Sequence, residues 1–570
     1  MQDVAAGLMA TLGAFTALYG SGRPYLSRLR LLSTLACCLS LAVWLGGWAA
    51  SAASPWPPIL VVALIATGGT LLCNALRVGP PGAYMIVLVC AAGTFMKTEG
   101  LDPGRTAALA LAGGVLAILI HMTGALVQPR APEKRAVAAA AQAVGDFISA
   151  AGSAREAIAQ HFAAAALHQA WSVIVTYQPI RPQPGTTLYR LRVVNRRLNE
   201  LFADVNSKLS RHETLPNSAM DDARVLARQA LNPGSVVEPA DIVIPLGHFS
   251  AFEALKESIS PGSPQLRVAL RVGVATLLAG AAASALGLER AYWTMAAAVL
   301  MLHQGLDLVR TLQRGIERML GTWAGLMIAW LVISSHPTGL WLAATLMTFQ
   351  FLIEIFVVRN YAIAVAFITP VALTIAAGGH ALVDVHHLMI ARGIDTTLGC
   401  AIAFLVLIMS MPKAAARNLY PALRRVFTAA ESVLACLERG TVTDAPAKAA
   451  RRDLQHYSLT LLQAYDESIG ASINERHNAE SFWPVVVASQ RLAYRILAAC
   501  WEIEQSGPNP MQEHAIGWAR HSLAVIATGL ETRSIVGPSV PTPDFLGPEI
   551  IALRESIAAI RPIDEPSHGY

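Results

Sequence analysis

Hydrophobic and polar positions divide the chain into four stretches. Residues 1–127 read as long apolar runs parted by short basic turns, and 266–411 repeat that texture. Residues 128–265 and 412–570 read as amphipathic helix broken by Pro and charge. The first apolar stretch holds about five runs, 4–19, 31–50, 59–76, 82–97 and 105–127; the second holds six, 266–286, 291–305, 319–334, 339–357, 361–378 and 388–411. Each approaches the length that crosses hydrocarbon as a helix. The pattern predicts an all-α polytopic membrane protein of about eleven transmembrane helices in two halves, each half followed by a helical cytoplasmic domain.

The turns set an orientation. Arg23, Arg28, Arg30, Arg77, Arg130, Lys134, Arg135, Arg359, Lys413 and Arg417 fall on alternate faces that the positive-inside rule makes cytoplasmic. Glu289, Arg290, His336, Asp384, His386 and His387 fall on the other face, and Lys97 and Arg105 run against the rule beside Glu99 and Asp102. The N-terminus is then outside and the C-terminus cytoplasmic. Met1-Gln2-Asp3 lacks the basic leader of a cleavable signal peptide.

An internal repeat accounts for the odd number of spans. Setting Arg28 against Arg314 and Gly113 against Gly399 gives one offset, so the five early spans match the last five late ones. The early half lacks a counterpart of 266–286. Either the bundle has eleven spans or the chain begins one helix late, with the thin run 4–19 favouring the second. Parallel halves of this kind enclose a pathway.

In the polar stretches, helical periodicity covers 133–177, 187–211, 217–231, 248–258, 414–439, 446–471, 480–506 and 510–534. Pro179, Pro182 and Pro184, Gly507-Pro508-Asn509-Pro510 and a Pro-rich 537–548 punctuate them. These read as domains packing on the bundle or on a second subunit, which allows a homo-oligomer. His161 and His168, seven apart on one helical face, lack a third ligand for a metal.

Composition agrees with the pattern: 54% hydrophobic and 14% charged over 570 residues, with a mean hydropathy of +0.47. A net charge of +5 offers no nucleic-acid surface. The seven Cys show neither a disulfide framework nor a zinc spacing and read as small buried hydrophobes. There is no phosphate-binding Gly-rich loop, nucleophile elbow or dinucleotide turn, so neither an ATP-driven pump nor an enzyme is expected, and no cofactor.

The candidate chemistry sits in the second apolar half. Arg310, Arg314 and Arg318 recur every four residues in a basic elbow and share one face if the elbow is helical, with Asp307 and Glu317 offsetting part of the charge. Arg314 and Arg318 read as topology anchors; Arg310 is the candidate for gripping a carboxylate. Arg392 and Asp395 lie about one turn into the last span, three apart and close enough to pair. They form either a structural ion pair or an anion contact beside a proton acceptor. Glu354, near Arg359, is a second candidate for proton coupling or a snorkelling carboxylate.

Thr369-Pro370 interrupts one span and Gly93-Thr94 the presumed counterpart, as packing kinks or as the walls of a midplane site. Gly321 and Gly325, spaced by four, point to a close helix contact. Tyr292 and Trp293 fit an interfacial anchor or the lining of an exit for an aromatic solute. His121 and His303 read as hydrogen-bonded histidines or proton relays.

Tyr292-Trp293, Arg310-Thr311, Arg314, Arg318 and Gly321-Thr322 stand in order, followed by Arg359-Asn360-Tyr361, Thr369-Pro370 and Arg392-Gly393-Ile394-Asp395-Thr396-Thr397-Leu398-Gly399. Together they resemble the second membrane half of the fusaric acid resistance family, the aromatic acid exporters, over residues 267–411. The resemblance implies an inner-membrane secondary transporter that expels aromatic or other amphipathic organic acids, proton-driven, and a periplasmic adaptor as partner. In that picture Arg310 and Arg392 hold the carboxylate, Asp395 or Glu354 exchanges a proton, and Gly93 and Pro370 shape the cavity. A passive organic-anion channel and a non-transporting membrane scaffold remain as alternatives.

Overall fold

The computed structural model describes residues 3–96, 102–176, 185–210, 213–236, 251–260, 263–288, 291–305, 308–335, 339–357, 359–376, 385–410, 419–469, 479–506, 510–532 and 543–560. Among them the chain is all-helical, with no sheet. In chain order the helices begin with α1 (Asp3–Ala14), α2 (Tyr25–Ala49), α3 (Trp56–Ala75), α4 (Tyr84–Met96) and α5 (Pro103–Val127). There follow α6 (Ala131–Ala150), α7 (Glu156–Trp171), α8 (Thr187–Ser210), α9 (Ala219–Leu231) and α10 (Ala251–Ile259). Next come α11 (Pro264–Ala285), α12 (Ala291–Leu302), α13 (Leu308–Ser334), α14 (Leu340–Phe356), α15 (Tyr361–Ala376) and α16 (Val385–Met409). The last are α17 (Leu419–Glu438), α18 (Ala445–Ile469), α19 (Trp483–Ser506), α20 (Pro510–Thr532) and α21 (Gly547–Ala558).

The chain divides into two compact units. One comprises Met1–Ser21, Arg28–Val127 and Ser250–Met411; the other Gly22–Ser27, Gln128–Phe249 and Pro412–Tyr570.

Among the described residues of the first unit five helices are long and apolar enough to cross a membrane: Tyr25–Ala49, Trp56–Ala75, Pro103–Val127, Pro264–Ala285 and Met389–Met409. Five further apolar helices, Met9–Leu18, Tyr84–Thr94, Ala291–Leu302, Leu340–Phe356 and Tyr361–Thr374, are shorter. Leu64, Leu116, Leu119, Ile120 and Leu405 point large apolar side chains away from the bundle, an arrangement stable against lipid and costly against water. Caps mark several starts: Ser263 accepts the Leu266 N–H at 3.1 Å with Pro264 in the first turn of α11, and Asp102 accepts the Arg105 N–H at 2.7 Å at the head of α5.

Helix α2 starts at Tyr25, so Arg28 and Arg30, expected in the turn before a span beginning at 31, lie in its first turns. Two boundaries of the second apolar half also differ from the sequence reading. The run 291–305 ends as helix at Leu302, because His303-Gln304-Gly305 turns the chain with Gly305 at φ +66°. The basic elbow is no separate element: it forms the first turns of α13, a single helix of 27 residues.

Glycines set how closely the membrane helices cross. A Cβ on Gly113 would lie 1.9 Å from the Ala10 carbonyl oxygen, and one on Gly399 2.3 Å from that of Thr294, so α5 meets α1 backbone to backbone as α16 meets α12. Gly46 and Gly93 seat α2 on α4 in the same way, with Cβ positions 2.1 Å from the Cys90 oxygen and 2.5 Å from the Val43 oxygen. Gly321 and Gly325 seat α13 on α15, at 2.4 Å from the Ala362 oxygen and 2.7 Å from the Ala366 oxygen. Such crossings suit a bundle held by van der Waals contact in lipid.

The second unit is amphipathic helix around apolar interiors. Phe147, Leu167, Ile174, Leu191 and Leu198 fill one, and Leu419, Phe427, Leu454 and Phe482 another. Tyr494 of α19 reaches the first, edge-on to Phe202 at 5.5 Å. The expected helix 133–177 is two helices, since Gly152 at φ +74° turns the chain and the Glu156 carboxylate accepts its N–H at 2.8 Å. Helix α21 starts inside the stretch 537–548 that reads as Pro-rich punctuation, because Pro548 in its first turn is compatible with a helix start. A buried ion cluster crosses this unit, with Arg451 Nη1 3.5 Å and Arg196 Nη1 3.9 Å from the two oxygens of Glu504.

Lys97, Glu99, Pro179, Pro182, Pro184, Glu289, Arg290, Asp307, His336, Asp384, Lys413, Arg417 and residues 507–509 lie outside the described residues, as do the side chains of His386 and His387.

Candidate functional site

Helix α13 carries the arginine row, and its geometry explains why the three arginines do not share one environment. Four residues advance an α-helix by about 40° beyond a full turn, so the row winds around the helix. The buried stripe runs through Thr311, Gly315, Arg318 and Thr322. Arg310 falls on the exposed side, Arg314 is half-buried, and Arg318 is only 4% exposed. The inward arginine of the row is thus Arg318, read from sequence as an anchor, and not Arg310.

The Tyr361 hydroxyl at the start of α15 interacts with the Arg318 guanidinium. The same ring carries Arg314, its guanidinium 5.0 Å from the ring centre, with Nη1 donating to Gln304 Oε1. Tyr361 therefore meets both a half-exposed arginine and a buried one.

Arg392 on α16 is 5% exposed, and its guanidinium carbon stands over the Trp293 ring of α12, 4.4 Å from its centre. Tyr292 and Trp293, 5.3 Å apart, are both buried in the bundle core. Gly393, beside Arg392, leaves room for the Trp323 ring, 2.6 Å from where a Cβ would stand. Asp395 is fully buried and accepts the Thr294 hydroxyl at 2.8 Å. Arg318 acts electrostatically on Arg392 and on Cys400, two turns apart on α16, and Tyr84 of α4 acts on both arginines.

Among the described residues of this unit, the buried charged side chains are Arg318, Arg392 and Asp395, two cations to one anion. Arg318 Nε and Arg392 Nε are buried without a hydrogen-bond partner. So are the hydroxyls of Thr322 and Thr396, each four residues beyond one of these arginines. Thr369 and Thr397 instead bond the carbonyl four residues back, the usual resort of a helical threonine.

The remaining candidates take other partners, and of them His303 touches the cluster through Tyr84. Thr369 packs against Gly325, and Pro370 is buried inside α15. Thr94 bonds the Ala91 carbonyl at 2.6 Å beside Gly93 at the α2–α4 crossing. Glu354 is exposed on α14, where Gln350 donates to it at 3.0 Å. His303 is buried, with Nδ1 3.1 Å from the Val299 and Leu300 carbonyl oxygens and its ring stacked on Tyr84. His121 is half-buried on α5. In the other unit His161 meets Gln490, and among the described residues no three His, Cys, Asp or Glu side chains gather as a metal site.

Sequence reasoning missed Thr322, Thr396, Tyr84 and the inward role of Arg318. The small and polar stripe of α13 at helical spacing carried the signal for Arg318 and Thr322. Tyr84 comes from the other half of the unit and left no local signal.

A helical membrane protein with an arginine-rich, aromatic-walled interior is the class these features define. Residues 278–406 match the family model described as fusaric acid resistance protein-like. The match spans α12 to α16 apart from the last residues of α16, and so all of the cluster except Tyr84. An uncharacterized membrane protein, YvaC of Bacillus subtilis (strain 168), is 26% identical over 539 residues, covering 88% of this chain and 83% of that protein. No solved structure matches the chain.

Proposed function

We propose that the protein is a secondary transporter of the cytoplasmic membrane that exports aromatic or other amphipathic organic acids, energised by the proton-motive force. The observation that carries the reading is Arg392, buried over the Trp293 ring one helical turn from the buried Asp395. A guanidinium on an indole offers a carboxylate its fork and an aromatic body a stacking surface. Buried charge in a membrane bundle is expensive and is retained where a solute or proton uses it.

In this reading Arg392 holds the carboxylate, Tyr292 and Trp293 line its aromatic portion, and Asp395 is the protonatable group. Glu354 is the alternative proton site, and Pro370 and Gly93 shape the helices around the pathway. The shorter apolar helices and α13 complete an eleven-span bundle with the C-terminus in the cytoplasm. The α5–α1 and α16–α12 glycine crossings, like those of α2–α4 and α13–α15, support two repeated halves. A periplasmic adaptor and a second copy are the partners that this architecture would take.

The test is accumulation of labelled aromatic acids in cells stripped of their own exporters, with and without this protein and with and without a protonophore. Lower accumulation that the protonophore abolishes is the expected result. Efflux indifferent to the protonophore would instead favour a passive anion channel, and unchanged accumulation across a broad panel of acids would overturn transport.

A further inference from the structure

Four unsatisfied buried donors stand on two adjoining helices: Arg318 Nε and the Thr322 hydroxyl on α13, Arg392 Nε and the Thr396 hydroxyl on α16. All four side chains are at least nine-tenths buried. Buried donors without acceptors are rare in folded proteins and destabilising, and each calls for an acceptor that is absent from the resting chain. With Asp395 the only buried carboxylate among the described residues of this unit, the cluster keeps one positive charge in excess. One carboxylate monoanion supplies both the missing acceptor oxygens and the missing charge.

One oxygen does face Arg318 electrostatically, that of the Tyr361 phenol, whose ring also carries Arg314 at 5.0 Å. A phenol is a weak acceptor beside a carboxylate, and charge-assisted pairs are roughly twice as strong as neutral ones. Tyr361 also touches Arg314, which is half-exposed. It is therefore placed where an arriving anion, drawn first to Arg314, has to move the phenol to reach Arg318.

Resting on the exporter reading, we propose that Arg318, Thr322, Arg392 and Thr396 form the seat of a single aromatic monocarboxylate, and that the Tyr361 hydroxyl is a resident stand-in which the carboxylate displaces. The seat discriminates by charge: a monoanion neutralises it, a neutral amide leaves the guanidiniums unmet, and a dianion overshoots. Tyr361 is then a specificity-determining residue whose removal strengthens binding, the reverse of what a structural tyrosine would do.

The experiment measures equilibrium binding of labelled benzoate to the full-length protein in nanodiscs, with benzamide and phthalate as competitors, alongside benzoate flux in proteoliposomes. Benzoate should bind, benzamide should fail to compete, and phthalate should compete more weakly. Tyr361→Phe should tighten benzoate binding roughly tenfold, about the worth of one hydrogen bond no longer competed for. Arg318→Gln should weaken it at least tenfold, and Thr322→Val with Thr396→Val by several-fold. Weaker binding in Tyr361→Phe, or wild-type affinity in a folded Arg318→Gln, overturns the seat even while wild-type flux upholds the exporter. If the wild type neither binds nor moves benzoate or other aromatic carboxylates, the exporter reading falls and takes the seat with it. Should Arg318→Gln fail to fold, the sign of the Tyr361→Phe effect decides alone.

Discussion

Thr294 on α12 donates its hydroxyl to Asp395 Oδ1 on α16 at 2.8 Å, joining residues 101 apart in sequence. Both are fully buried. Gly399, one turn further along α16, brings that helix onto the Thr294 carbonyl, so one residue of α12 anchors α16 through both its side chain and its backbone. A hydrogen bond to a charged acceptor is worth about 1.5 kcal/mol or somewhat more. A double-mutant cycle of Thr294→Val and Asp395→Asn on the detergent-solubilised protein should therefore return a coupling near ~1.5 kcal/mol in thermal stability. Coupling within error of zero would mean the bond holds nothing. Asp395→Asn should also remove the pH dependence of transport, since an amide cannot take up the proton.

Arg392 tests whether the guanidinium is used as a shape or only as a charge. Lysine keeps the charge but has no planar fork to set over Trp293 and no two-pronged donor face. A desolvated cation–π contact is worth ~2 kcal/mol. Arg392→Lys should accordingly raise KM for an aromatic acid by roughly ten- to thirtyfold, and Arg392→Gln should abolish saturable transport. Initial efflux rates over a concentration series separate the two, and an unchanged KM in the lysine variant would reduce Arg392 to a point charge.

The two kinds of structure here were unequally visible in the sequence. Apolar runs at membrane length and a basic turn are local facts, so the helices of the first unit, Arg392 and Asp395 could be read directly. The inward arginine could not be read from spacing in fours, because that spacing winds around the helix; following the small residues Thr311, Gly315 and Thr322 would have pointed to Arg318. Trp293 reads as an interfacial aromatic until α16 lays Arg392 over it. Tyr84 and the Thr294–Asp395 bond depend on how distant helices meet, which no window of sequence contains.

Glycines at the crossings give a sharper contrast than helix propensity predicts. On propensity alone, Gly→Ala inside a helix stabilises by up to ~1 kcal/mol. Gly68 on α3 has nothing within 4 Å of its would-be Cβ, so Gly68→Ala should be neutral or slightly stabilising. At Gly321 the methyl would sit 2.4 Å from the Ala362 oxygen and 2.7 Å from the Val365 Cβ, forcing α13 off α15. Gly321→Ala should cost about 1–3 kcal/mol. Because that crossing also sets Arg318 against Tyr361, it should impair transport of aromatic acids as well. Melting temperatures in detergent and efflux rates for the pair check this, and equal behaviour of the two variants would contradict the close approach.

In the second unit the protonation of His161 couples to stability. Gln490 Nε2 donates to the Ser458 carbonyl at 3.3 Å and faces His161 Nδ1 at 3.4 Å, so the imidazole nitrogen meets a donor and acts as an acceptor, which requires the neutral ring. Burial is the main force holding the His161 pKa below its ordinary value, while Asp466 pulls in the other direction. With the folded pKa below the unfolded value of about 6.5, the unfolded chain binds the proton first as pH falls. Stability is therefore fully present above about pH 6.5 and is lost as pH drops towards the folded pKa. Hydrogen exchange of peptides from α7, α18 and α19 in the full-length protein should accelerate, after correction for intrinsic rates, between pH 7.5 and pH 5.5. His161→Gln keeps an acceptor for Gln490 but cannot take up a proton, so the corrected acceleration should be smaller in that variant. If wild type and variant accelerate alike, the acid sensitivity of this unit arises from other groups.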